Sequence, residues 1–79
     1  MNEMYLTAII VCTQAQPGGQ PLVNGKCFLK YRNIKDNPVK ISNFLAFAVK
    51  FPGAIEVNFY YKKRAGETKG RFKEKIYLQ

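Results

Sequence analysis

The sequence predicts a small α+β domain, an antiparallel sheet built in the order β-β-α-β-β with one short helix packed on one face. Three observations lead there. Residues 26–35, 55–64 and 71–78 alternate apolar and polar with a period of two, as half-buried strands do. Phe44, Phe47, Ala48 and Phe51 recur at helical spacing, with Leu45 beside them. The 79 residues are too few to divide between two cores, so residues 1–79 are read as one domain. An open barrel of the oligonucleotide-binding type, with the long loop adding a strand, is the alternative architecture.

Met4 to Thr13 is rich in β-branched and aromatic residues and apolar on both parities, the pattern of a central strand or one covered on both sides. Residues 14–25 then gather Pro17, Gly18, Gly19, Pro21 and the pair Asn24-Gly25, a flexible connection whose last step suits a tight hairpin. In the second strand, Lys26 to about Lys35, Cys27, Leu29 and Tyr31 point one way. Lys26, Phe28, Lys30 and Arg32 point the other.

Asp36-Asn37-Pro38 reads as a turn, because proline fixes its own φ and pushes the preceding residue out of the helical region. Ser42 is then the expected N-cap of a helix over Asn43 to Phe51, ended by Pro52-Gly53. The third strand, Ile55 to Arg64, divides Val57, Phe59 and Tyr61 from Asn58, Tyr60, Lys62 and Arg64. Ala65 to Gly70 forms a polar hairpin loop. The last strand, Arg71 to Leu78, sets Phe72, Ile76 and Leu78 against Arg71, Lys73, Lys75 and Tyr77, with Glu74 misplaced on the apolar side.

Composition narrows the chemistry. Hydrophobic residues make up 47% of the chain and charged ones 23%, enough apolar surface for a core. Thirteen Lys and Arg against five Asp and Glu give a net charge of +8, a field that attracts polyanions or acidic surfaces. There is no His and Ser42 is the only serine, so imidazole bases and Ser-His or Cys-His pairs are excluded. The carboxylates Glu3, Asp36, Glu56, Glu67 and Glu74 are scattered, offering neither an acid/base pair nor a metal triad. The glycine pairs do not stand between a strand and a helix as phosphate loops require. No enzymatic activity, cofactor or metal is expected.

Cys12 and Cys27 both lie in apolar runs and are expected to be reduced core residues; a bridge between them requires neighbouring strands in matched register. The seven-residue apolar run from Leu6 to Cys12 lacks the basic flank of a secretion signal, and nothing approaches the roughly 20 apolar residues of a spanning helix. A cytoplasmic protein without membrane insertion is expected.

The parities of the second, third and fourth strands bring Lys26, Phe28, Lys30, Arg32, Tyr60, Lys62, Arg64, Arg71, Lys73, Lys75 and Tyr77 to one uncovered sheet face. Lys63 and Lys69 add to the charge of the last hairpin, where seven Lys and Arg face two Glu over residues 62–75. Cations that track phosphates and rings that stack on splayed bases are what single-stranded nucleic acid needs. These thirteen residues are the candidate binding set, and no stretch carries the aromatic-glycine motif of the common RNA-recognition sheet module. Two other readings compete: a module that docks on an acidic protein surface, and a charged face that only keeps edge strands soluble. A homodimer through exposed strand edges or the aromatic face is a further expectation.

Overall fold

The computed structural model describes residues 4–19 and 21–79; Glu3 and the Gln20 of the long loop lie outside the described residues. The chain forms β1 (Tyr5–Cys12), β2 (Cys27–Lys35), α1 (Pro38–Ala48), β3 (Ala54–Tyr61) and β4 (Phe72–Tyr77). The strands make one antiparallel four-stranded sheet in the order β2-β1-β3-β4, with α1 against one face. Among the described residues the long loop adds no fifth strand and contributes an isolated bridge between Val23 and Lys26. Asn24 and Gly25 turn the chain there with φ of 53° and 76°, the doubly positive pattern of a tight hairpin turn.

β1 is apolar on both parities because it is central. Leu6, Ala8, Ile10 and Cys12 face the helix and are fully buried. Val11, on the opposite parity, is also buried, beside its register partners Phe28 of β2 and Glu56 of β3. Val57 and Phe59 complete the fully buried set from β3. Their burial away from water is the main force holding the helix to the sheet. Rings extend that core, with Phe44 lying 6.1 Å from Phe59 and 5.5 Å from Tyr31, each near edge-on.

The helix begins earlier than the expected Ser42 cap. Asn37 is extended and its Oδ1 accepts the Lys40 N–H at 2.8 Å, while Pro38 occupies a first-turn position that needs no donor. Asn37-Pro38 is therefore a helix start rather than a turn, and Ser42 is an exposed residue inside the helix. Phe51 lies beyond the helix end, its N–H bonded to the Ala48 carbonyl at 3.1 Å. It still packs on the core with Ile41, Phe44 and Leu45. Phe47 makes ring contacts with Tyr31, Phe44 and Phe51, and much of its ring is exposed.

Two bulges reset the parity of the edge strands. Between the pairs Leu6↔Ile34 and Ala8↔Tyr31, Arg32 and Asn33 stand opposite Thr7 alone, and Asn33 takes a φ of 64°. The extra residue returns Ile34 to the core side, which strict alternation from Tyr31 would not do. In β4 the pairs Phe59↔Glu74 and Tyr60↔Phe72 leave Lys73 unpaired. This overturns the expected division of that strand at two residues. Phe72 is carried to the open face, where its ring lies 5.6 Å from Tyr60, and Lys73 turns to Asp36 at 3.7 Å and Glu74 at 3.4 Å.

Candidate nucleic-acid interface

Opposite the helix, β1 presents Tyr5, Thr7 and Ile9 as the floor of a cleft of about 690 Å³. One wall comes from β2, with Lys30 in regular register and Arg32 and Asn33 at the bulge. The other comes from the end of β3 and the residues after it, Tyr60, Tyr61, Lys62 and Lys63. Thr68, Lys69 and Gly70 of the β3–β4 loop close the rim.

Backbone bonds fix this loop. The Lys62 N–H donates to the Tyr5 carbonyl at 3.1 Å and the Tyr61 N–H to the Arg71 carbonyl at 2.8 Å. Gly70 is required by close approach, since a Cβ there would overlap the Tyr61 carbonyl oxygen. The loop's one carboxylate is exposed and tied to the loop's own backbone: Glu67 Oε1 accepts the Arg64 N–H at 3.0 Å.

The cleft thus gathers five cations, Lys30, Arg32, Lys62, Lys63 and Lys69, and no carboxylate lines it among the described residues. Concentrated charge of one sign in a concave site focuses the field on an anion. Six of the thirteen predicted residues meet here: these five and Tyr60.

The other predicted residues are dispersed. Lys26 and Phe28 lie at the far end of β2 beside a shallower groove along its outer edge. Lys75 and Tyr77 lie on the open side of β4, where Lys75 Nζ is 3.4 Å from Glu56 and 5.8 Å from the centre of the Tyr77 ring. Arg64 and Arg71 belong to the loop, exposed. Lys73 leaves the set altogether. Burial pulls its ammonium down, but the hydrogen bond to Glu74 and the charges of Asp36 and Glu74 outweigh that and hold it above its ordinary value. Glu74, the misplaced carboxylate of the sequence, is thereby paired with a neighbouring cation.

Sequence reasoning missed Tyr5, Thr7 and Ile9, the floor of the cleft, and Asn33 and Thr68 on its rim. Their signal was the second apolar parity of β1, which marks a central strand and so sets Tyr5, Thr7 and Ile9 between β2 and β3 on the face away from the helix. Among the described residues no group of three or more His, Cys, Asp or Glu could hold a metal ion, and no helix is long and apolar enough to cross a membrane.

The fold and the cleft define a small α+β sheet protein with a cationic, tyrosine-bearing concavity on its uncovered face. No known protein family, curated protein or solved structure matches the chain.

Proposed function

We propose that the protein is a non-enzymatic binder of single-stranded nucleic acid, with the cleft over β1 as its anchoring site. The observation that carries this reading is the convergence of five cations on a concavity with Tyr5 and Tyr60 and, among the described residues, no lining carboxylate. Cations there meet phosphates, and an aromatic face accepts any base. Exposed rings continue outward from it: Phe72 against Tyr60, and at the far end Phe28 and Tyr77, which are 58% and 69% exposed. Duplex DNA, whose bases are stacked away, gains nothing from such rings. The reading involves no cofactor.

The test is fluorescence anisotropy of labelled single-stranded and duplex oligonucleotides at low and moderate salt. Single strands are expected to bind more tightly. The logarithm of affinity falls with the logarithm of salt by about 0.7 per phosphate contact, so three to five contacts give a slope of about −2 to −3.5. Binding that ignores salt, or no binding at low salt, overturns the proposal.

A second reading, docking on an acidic protein surface, is favoured by one observation. Val23 and Phe28 are exposed beside Lys26 at the β2 edge, an apolar and basic combination suited to an acidic partner with apolar anchors. Co-purification separates the two: a high 260 to 280 nm absorbance ratio that collapses after nuclease and high salt belongs to the first reading alone.

A further inference from the structure

Cys12, the last residue of β1, and Cys27, the first of β2, are direct register partners. Residues opposite one another on an antiparallel ladder have Cα atoms about 4.5–5.5 Å apart. A disulfide spans Cα separations of about 4.4–6.8 Å, so the backbone already stands at bridging distance. Both side chains belong to the same apolar cluster on the helix side, so they also share a face. The thiols are free. Burial, then hydrogen bonding to the Cys27 thiol and the charge that thiol can carry, push the Cys12 thiol up to about 11.

The two sulfurs differ in access. Cys12 is 0% exposed, whereas Cys27 is 7% exposed and lines the groove along the outer edge of β2, between Val23, Phe28 and Leu29. Cys27 Sγ donates to the Gln14 carbonyl at 3.4 Å, which places it at the root of the long loop. One thiol is thus reachable by a small molecule, and its partner waits behind it.

We propose that Cys12 and Cys27 form a redox modification site, in which a peroxide entering the β2-edge groove converts the dithiol to a cross-strand disulfide. The Cys27 sulfur takes one oxygen from hydrogen peroxide, giving a sulfenic acid and one water. The Cys12 sulfur then attacks the Cys27 sulfur: the S–S bond forms, the S–O bond breaks, and the departing hydroxide leaves as water with the Cys12 proton. Two thiols lose two electrons and the peroxide is reduced to two waters.

No strand has to move for this step, and it closes the loop between the two cysteines into a covalent ring. The ring fixes the segment that leads into Lys26 and Phe28, at the opposite end of the sheet from the cleft. The site is independent of the nucleic-acid reading, since it rests on the ladder register and the access to Cys27.

The experiment treats the folded full chain with hydrogen peroxide, blocks remaining thiols with iodoacetamide in denaturant, and measures intact mass and the joined peptides. The expected product is a monomer lighter by two hydrogens, with no alkylated thiol and one Cys12–Cys27 cross-linked peptide. Its Tm should rise by on the order of 10 °C over the reduced protein. Dithiothreitol should reverse both changes. Oxygen adducts on Cys27 with Cys12 still alkylatable overturn the proposal, as does a disulfide-linked dimer or survival of both thiols in peroxide that oxidises a free-thiol peptide. Because the wild-type chain gives the answer, it does not depend on whether Cys12→Ser or Cys27→Ser folds.

Discussion

The two ends of the open sheet face carry similar residue types and differ in how charge is arranged. At the β1 start, five cations from β2 and the β3–β4 loop converge with no carboxylate among them in the described residues. At the β1 end, Glu56 sits under the face, accepting the Asn58 amide N–H at 3.1 Å and pairing with Lys75. The rings there, Phe28 and Tyr77, are more exposed than Tyr60. The Glu56–Lys75 pair leaves little net positive charge there to hold a phosphate where a base could stack. Counting cations along the chain therefore overstates the field the open face presents, because a cation beside a carboxylate contributes little field beyond a Debye length of about 8–10 Å.

The sharpest break of this comparison is to remove charge from each end separately. Replacing Lys30, Arg32 and Lys62 together by alanine is expected to lower single-strand affinity about 100-fold and to flatten the salt slope by about 2, one step of 0.7 per lost contact. The double variant Lys26→Ala/Lys75→Ala is expected to cost less than about threefold, because Lys75 is already neutralised by Glu56. Equal losses in the two anisotropy titrations would abolish the distinction between the ends.

Alkaline pH acts on the far end through Cys12. Its folded-state value is raised from 9.0 to about 11, so the neutral thiol is the form the fold favours. The stability this contributes is fully present below pH 9 and is lost as pH rises toward 11, by on the order of 2 kcal/mol. Urea unfolding of the reduced protein at pH 8 and 10.5 measures it. Cys12→Ala should flatten the decline even if it lowers the starting stability.

Gly70→Ala targets the cleft end by forcing a methyl group against the Tyr61 carbonyl oxygen. It is expected to destabilise the protein by about 2 kcal/mol and weaken oligonucleotide binding together. Gly66→Ala, also in the loop but with open space around its Cβ position, bears only the penalty of its positive φ of 86°. Unfolding midpoints of the pair separate crowding from backbone conformation.

Tyr60→Ala should cost about 1–2 kcal/mol on single strands and nearly nothing on duplex, within the range for stacking one base. Tyr77→Ala should cost less, and the reverse order would move the stacking site to the far end. The smallest effect is expected from Glu56→Gln, which removes the carboxylate that spoils that end. It should raise affinity by less than about threefold.

Much of the fold was legible because burial imposes periodicity. The core parities of β2 and β3 and the central place of β1 follow from which residues are apolar, and Cys27, Leu29, Val57 and Phe59 lie on the side expected of them. The bulges were not legible. An inserted residue leaves the alternation on either side of it intact, so Phe72 and Lys73 each read as belonging to the opposite face. The helix start was present in Asn37-Pro38, whose residues serve turns and N-caps alike; Lys40 N–H supplies the bond that decides between them. Of the cleft, the cations were visible and the floor was not. Tyr5, Thr7 and Ile9 join Lys30 and Tyr60 only once β1 is known to lie between β2 and β3.

The position of β4 sets the lifetime of the cleft. It is the outermost strand, six residues long, bonded to β3 alone and without a fully buried residue. Strands with few buried contacts open by local unfolding well below the free energy of the whole molecule. Here that opening releases the loop bearing Thr68, Lys69 and Gly70 while β1, β2 and β3 stay folded. The cleft is therefore expected to open with that hairpin, and a ligand that bridges Lys69 to Lys30 or Arg32 is expected to slow amide exchange in β4, the strand it does not touch.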